Sequence, residues 1–204
     1  MAILTRPRGR LLVIGGHSRG VGKTSVGSGL IRALTRTGHS WSAVKVSSHR
    51  HHIEDPAFQP QLEVAAPSDT TQAGRYLLAG ASSAFLLRSP DAFLAAAAEL
   101  LESLLARGHN LLVESNRLAT ILPPDLVIFV TDPANSDWKS SSDACLSQAH
   151  ALIIAGSADP TSYPPSCSAY AIPHFAVDRA TWGSAPLSQW AISHFSRSGP
   201  DSQT

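Results

Sequence analysis

The chain has 204 residues, of which 43% are hydrophobic and 15% charged, with a formal net charge of +1. That length and balance suit one well-buried α/β domain and exclude a disordered chain, because this much apolar burial offsets the entropy of ordering. The small net charge lacks the basic footprint of a nucleic-acid binder, so no nucleic-acid partner is expected.

Leu11 to Ile14 is a short apolar run bounded by glycines and predicts a buried parallel strand. The run LLVIGG is too short for a signal core or a membrane span, so the expected location is the cytoplasm, with no membrane partner. Beyond the glycine-rich turn, Val26, Leu30, Ala33 and Leu34 repeat at helical spacing and predict the buried face of a helix ending near Gly38. Trp41 to Ser47 reads as a second strand. Residues 49–69 hold three prolines and no sustained period, so residues 49–68 are expected to form a long, mobile loop. Asp69 is placed to cap a helix running to about Ala79, closed by Gly80, with a strand at Ser83 to Leu87. Ser89-Pro90-Asp91 supplies a cap, a first-turn proline and a first-turn acid for an alanine- and leucine-rich helix ending at Gly108.

Asn110 to Glu114, Asp125 to Thr131 and Ala151 to Ala155 are further apolar runs of strand length. Residues 157–168 read as a loop, and Ile172 to Val177 and Leu187 to Phe195 as a last strand and helix. Residues 1–197 are taken as a single domain, and 198–204 as a disordered tail. Cys145 and Cys167 lie in dissimilar segments without metal-ligand spacing and read as free thiols. Alternating strands and helices imply a mostly parallel, doubly wound sheet whose ligands bind beyond the carboxyl ends of its strands.

The segment GGHSRGVGKTS lies between the first strand and its helix, the setting of a phosphate-binding loop. Glycines let the backbone curl so that successive N–H groups point inward, and the helix N-terminus adds its partial positive charge. Gly20, Val21, Gly22, Lys23, Thr24 and Ser25 are therefore the expected nucleotide contacts. Lys23 would reach the β- and γ-phosphates, Thr24 would supply a hydroxyl to Mg²⁺, and Ser25 would meet the α-phosphate. His17 stands where the strict G-x-x-x-x-G-K-[ST] spacing puts its first glycine, so the loop is a variant.

Glu114 ends an apolar strand on the ligand side, where a carboxylate can hold Mg²⁺ or position an attacking water. Asp69 divides between metal ligation and helix capping. Asp132 ends a strand before proline and reads as the start of a turn. Lys45 sits within a strand, where an ammonium needs phosphate or a carboxylate nearby. His49, His51 and His52 could bind a metal or an anion, but without a matched carboxylate or cysteine they read as solvated. Arg75 is placed to reach the rim of the site or to remain solvated.

SRGVGKT is similar to the KGGVGKT motif of the deviant-loop ATPases, a class that includes dethiobiotin synthetase and the cobyrinic acid synthases. Ser18 occupies the position of their signature lysine, so the lysine that class uses across a dimer is missing. AVKVSSHRHH, then SDTTQAGRYLLAGASSAFLL and the acid-ended strand NLLVE, resemble the molybdopterin-guanine dinucleotide biosynthesis protein B family, whose second strand leads into Lys-His-x-His-His. The resemblance spans most of the first 120 residues. It departs where Ser115-Asn116-Arg117 follows the glutamate in place of glycine.

The resemblance implies a three-layer P-loop NTPase fold that binds GTP or ATP with Mg²⁺. It carries Lys23 and Glu114 as catalytic residues and Thr24, Asp69 and Glu114 as metal ligands. Asp159, in Gly156-Ser157-Ala158-Asp159, is what remains of the guanine-reading Asn-Lys-x-Asp, so the base stays open between guanine and adenine. The implied role is a GTPase accessory to molybdenum-cofactor maturation or a related pathway, with a biosynthetic protein partner and a homodimer as candidate assemblies. Two alternatives stand beside it: ATP-dependent activation of a small carboxylate, as in dethiobiotin synthetase, and a nucleotide-controlled binding module with little catalysis.

Overall fold

The structure, a computed structural model, describes residues 8–47, 58–156, 167 and 171–197. Within them, one eight-stranded sheet runs through the molecule. Its strands in chain order are β1 (Leu11–Gly16), β2 (Trp41–Ser47), β3 (Gln61–Val64), β4 (Ser83–Arg88), β5 (Asn110–Glu114), β6 (Leu126–Thr131), β7 (Ala151–Ala155) and β8 (His174–Val177). The spatial order is β3-β4-β2-β5-β1-β6-β7-β8, and every neighbouring pair is parallel except β3 with β4. The expected α/β class and mostly parallel sheet are what the structure has.

Strand β1 lies at the centre with all six residues buried, because helices cover both faces of the sheet and a continuous apolar run can be buried on each side. Alternate residues divide between two cores. Leu12 and Ile14 pack towards the face that carries α1 (Lys23–Thr35), α2 (Gln72–Leu78) and the helix Ala185–Arg197, while Leu11 and Val13 face α3 (Leu94–Ala106) and α4 (Ser142–Leu146). The terminal helix Ala185–Arg197 is α5. On α1, Val26, Leu30 and Leu34 are buried as expected and Ile31 joins them, while Ala33 is only half-buried. Gly27 lets Tyr76 of α2 cross α1 closely, since a Cβ there would stand 2.7 Å from the Tyr76 hydroxyl.

Several expectations need correction. Gln61–Val64 lies inside the segment expected to be a loop, yet forms the antiparallel edge strand β3, with Leu62 opposite Leu87 and Glu63 opposite Leu86. Its residues are mostly exposed, so no apolar pattern marks it, and the Arg88–Glu63 ion pair puts charge on the free edge. Asp69 does not cap α2. Thr71 does, its hydroxyl accepting from the Gly74 amide at 3.1 Å. Ser89 does not cap either: its hydroxyl donates to the Pro90 carbonyl, and the chain enters α3 through the short 3₁₀ turn Asp91–Phe93. The 3₁₀ turn Leu118–Thr120 and the five-residue α4 were not expected at all. The expectations for His49, His51 and His52, for Asp159 and for the tail after Arg197 fall outside the described residues, as does most of the expected loop at 157–168.

Because the parallel strands share one direction, the loop after β1, the end of β2 and the end of β5 open on the same edge of the sheet. The register makes the juxtaposition specific: Ile14 and Lys45 are both level with Glu114. Among the described residues no helix is long and apolar enough to cross a membrane. The capping assignment is checked by a thermal or urea melt of two variants. Thr71→Ala should lose about 1 kcal/mol of stability and Asp69→Ala a few tenths at most.

Candidate functional site

The turn from β1 into α1 is built from two left-handed glycines. Gly20 has φ +76° and Gly22, the residue before the helix, has φ +90°. Both lie in the region that L side chains rarely adopt, the backbone character from which anion-binding concavities are built. Among the described residues, no protein acceptor is bonded to the amides of Arg19, Gly20, Val21 or Gly22. The Val21 side chain is fully buried in the core, which anchors the turn. Lys23 and Thr24 then occupy the first turn of α1.

Thr24 and Glu114 meet inside the molecule. The Thr24 hydroxyl donates to Glu114 Oε2 at 2.8 Å, the Tyr76 hydroxyl donates to the same oxygen at 3.0 Å, and Lys45 Nζ reaches Oε1 at 2.6 Å. Glu114 is 1% exposed, and these three donors satisfy its two oxygens. Burial and the neighbouring carboxylate push the Tyr76 phenol well above its ordinary pKa, which keeps it a donor at any working pH.

The variant position of the loop has a structural answer. His17 turns inward, is 1% exposed and stacks on Trp138 with ring centroids 5.3 Å apart. Its Nε2 lies 3.0 Å from the Asn135 carbonyl, while its own carbonyl accepts from the Lys139 amide and the Ser142 hydroxyl, each at 2.9 Å. Asn135 Nδ2 also donates to the Arg19 carbonyl at 3.2 Å. Residues 135–142 thus brace the glycine-rich turn where a strict motif has a glycine. Burial lowers the His17 pKa, so the ring is neutral with Nε2 donating, and Nδ1 is buried with no hydrogen-bond partner among the described residues.

Asn116 does a related job from the other side. Its Oδ1 accepts from the Gly16 amide at 2.8 Å and its Nδ2 donates to the Gly16 carbonyl at 2.9 Å, as a strand partner would. Gly15 leaves the room this needs: a Cβ there would stand 2.2 Å from Cys145 Sγ and 3.0 Å from Asn116 Oδ1. Cys145 and Cys167 are both free and buried, and burial pushes the Cys145 thiol up to about 12.

A cavity of ≈ 580 Å³ opens beside the loop, lined by Gly20, Gly22, Lys23, Thr24, Ser25, Lys45 and Glu114 among others. Arg19, Arg75, Arg88 and Lys139 add positive charge to its wall, and Glu114 is the carboxylate in it. Burial pushes the Lys23 ammonium down to about 8, with Lys45 and Lys139 acting in the same direction and Glu114 opposing them. Lys23 Nζ rests on the Ser18 carbonyl. Lys139 is lowered too, by burial and by Arg19, Lys45 and Arg117. A site with this excess of cations favours a polyanion, because phosphate charge offsets the repulsion among the clustered ammonium and guanidinium groups.

Of the residues singled out from the sequence, the structure brings Gly20, Gly22, Lys23, Thr24, Ser25 and Glu114 to this cavity, with Val21 beneath it. Arg75 also reaches it and donates to the Ser25 hydroxyl at 3.0 Å. Asp69 is exposed and lines a neighbouring recess, apart from Thr24 and Glu114. Asp132 opens a turn, accepting from the Ala134 amide at 2.9 Å and pairing with Arg179. Sequence reasoning missed Tyr76, Asn116, His17 as a packed residue, Lys139 and Trp182. Of these only Asn116 left a trace, as a polar residue just beyond an acid-ended strand.

The donor set fits a polyphosphate with Mg²⁺. Thr24 Oγ1 and Glu114 Oε2 are hard oxygens within 2.8 Å of each other at the mouth of an amide-lined turn, which is the chemistry Mg²⁺ takes beside phosphate oxygens. Among the described residues no cluster of three or more His, Cys, Asp or Glu side chains is able to hold a metal unaided.

No protein-family model matches the chain, and no curated protein sequence matches it. Among solved structures, the crystal structure of an LAO/AO transport system kinase is similar, with a TM-score of 0.54 at 13% identity. The match covers 97% of this chain and 63% of that one, so this chain spans less than two thirds of its neighbour's length. The likeness bears on the fold, which is the α/β fold of the P-loop NTPases.

Replacing His17 by Ala should lower stability by about 1–3 kcal/mol, through loss of the buried stack on Trp138 and of the contact with Asn135. Chemical denaturation monitored by circular dichroism measures it, and an unchanged midpoint would show that residues 135–142 hold the loop without the imidazole.

Proposed function

We propose that this chain is a Mg²⁺-dependent nucleoside triphosphatase, with GTP favoured over ATP, serving as an accessory factor in molybdenum-cofactor biosynthesis or a related cofactor pathway. The observation that carries the nucleotide part is the convergence of free amides at Gly20 and Gly22, the Lys23 ammonium and the Thr24–Glu114 pair on one cavity. The pathway and the preference for GTP rest on the resemblance of residues 43–52, 69–87 and Glu114 to the molybdopterin-guanine dinucleotide biosynthesis protein B family. A biosynthetic protein partner and a homodimer belong to the same proposal.

In this reading the amides of the loop and Lys23 hold the β- and γ-phosphates, and Ser25, oriented by Arg75, meets the α-phosphate. Thr24 and Glu114 would hold Mg²⁺, which when bound offsets charge on the phosphoryl oxygens. Glu114 is fixed by Tyr76 and Lys45, so its carboxylate faces the reacting group without reorganising. Lys139, brought to the cavity by the segment that braces His17, adds a cation beside Lys23.

A second reading is favoured by one feature. Lys45, Arg117 and Lys139 share a recess of ≈ 130 Å³ next to Glu114, which suits a small anionic acceptor such as a carboxylate phosphorylated by ATP. Phosphate release that depends on an added small acid would select this reading over simple hydrolysis.

Three outcomes are expected. Lys23→Ala should weaken Mg²⁺–GTP binding roughly 10- to 100-fold in calorimetry, as loss of a charge-assisted contact predicts; unchanged binding would contradict the loop assignment. Glu114→Gln should lower turnover by roughly 10²-fold or more while leaving nucleotide bound. The third concerns pH. Lys23 in the free protein titrates at about 8, and a bound polyanion stabilises its protonated form. Binding near pH 8 and above should therefore take up a proton, and affinity should fall as pH rises through 8, by up to about tenfold per unit. Below pH 7 the ammonium is already charged and no uptake is expected. Calorimetry in buffers of different ionisation enthalpy reads this, and buffer-independent heats at pH 8.5 would exclude it.

A further inference from the structure

Trp182 stands at the turn between β8 and α5, far from the loop in sequence, yet its ring lies on Gly22. A Cβ built on Gly22 would fall 1.9 Å from the indole Cζ3 and 2.2 Å from Cη2, so the glycine and the ring are in direct contact. The backbone that delivers the ring is strained. Trp182 has φ +51°, alone among the described non-glycine residues in being positive, and bulky side chains rarely adopt that region. Asp178 enforces it: its carboxylate accepts from the amides of Ala180 and Thr181 at 2.8 and 3.0 Å, and its carbonyl from the Trp182 amide at 2.7 Å. Residues held in such conformations by their surroundings cluster at ligand clamps.

The position of the ring says what it would clamp. Trp182, Ser25 and Arg75 line both the ≈ 580 Å³ polyphosphate cavity and a second recess of ≈ 320 Å³ that runs along α1 past Ser28 and Arg32. A nucleotide whose α-phosphate lies at Ser25 must extend its sugar and base away from Lys23, and this recess begins there. Trp182 is half-buried, with one side against Gly22, and is the aromatic residue lining either cavity. A π-face at that point offers a base a stacking surface, which favours the flat, polarisable purines without reading their hydrogen-bonding edges.

We infer that Trp182 is the nucleobase platform of this site, stacking a purine that lies in the recess along α1. The inference rests on the polyphosphate reading above. Because the contact is with the ring face, it contributes equally to guanine and adenine nucleotides.

The test is a calorimetric titration of wild type, Trp182→Leu and Trp182→Phe, each with non-hydrolysable GTP and ATP analogues and with inorganic triphosphate, all with Mg²⁺. Leucine keeps an apolar contact on Gly22 without a π-face, and phenylalanine keeps a smaller one. The expected result is that Trp182→Leu weakens both nucleotides alike, by roughly 5- to 100-fold, and leaves triphosphate unchanged, while Trp182→Phe recovers most of the loss. Nucleotide affinity unaltered in Trp182→Leu would overturn the platform and leave the phosphate cradle standing. Parallel loss of triphosphate binding in Trp182→Leu would also overturn it, by assigning the ring to support of the Gly22 turn. Wild type that binds neither triphosphate nor nucleotide would instead remove the cradle itself.

Discussion

The buried carboxylate of Glu114 ties the site together. It receives Thr24 from α1, Lys45 from β2 and Tyr76 from α2, so the first turn of the loop helix, a neighbouring strand and a second helix meet on two oxygen atoms. A carboxylate at 1% exposure survives only with its donors in place, and removing one partner of such a group typically costs about 3–5 kcal/mol. The arrangement fixes where α1 begins relative to the sheet, and hence where the amides of Gly20 and Gly22 point. Gly27 belongs to the same constraint, because only a residue without a Cβ lets the Tyr76 hydroxyl cross α1 to reach Glu114.

The rest of the loop is held by a second set of contacts. Asn116 pairs with both backbone groups of Gly16, and residues 135–142 enclose His17. A loop with a histidine in the first-glycine position would otherwise present a bulky ring to the concavity. Here the ring is turned into the protein against Trp138, and the concavity is kept for backbone and for Lys23. The same brace delivers Lys139 to the cavity, so the departure from the strict spacing and the extra cation have one structural origin.

Much of this was legible in the sequence, for identifiable reasons. Strands β1, β5, β6 and β7 are buried on both faces and read as uninterrupted apolar runs, and the glycines before Lys23 mark the turn by chemistry that few other folds need. What escaped has no local signature. The edge strand β3 is mostly exposed and sits among prolines, and α4 is only five residues long. By residue type Asp69 is the better cap, and only the backbone path decides for Thr71. Tyr76, Lys139 and Trp182 reach the site across tens of residues, and register and turn geometry, unlike spacing, become visible only once the sheet is assembled.

The proposed function depends on the backbone amides of one turn acting as the phosphate receptor. Its most direct test is an amide-resolved ¹⁵N–¹H spectrum recorded while Mg²⁺ and inorganic triphosphate are added. The largest shifts are expected on residues 19 to 25, with Gly20 and Gly22 moving downfield as their N–H groups gain anionic acceptors. Shifts confined to surface lysines and arginines elsewhere, with those glycines unmoved, would contradict it.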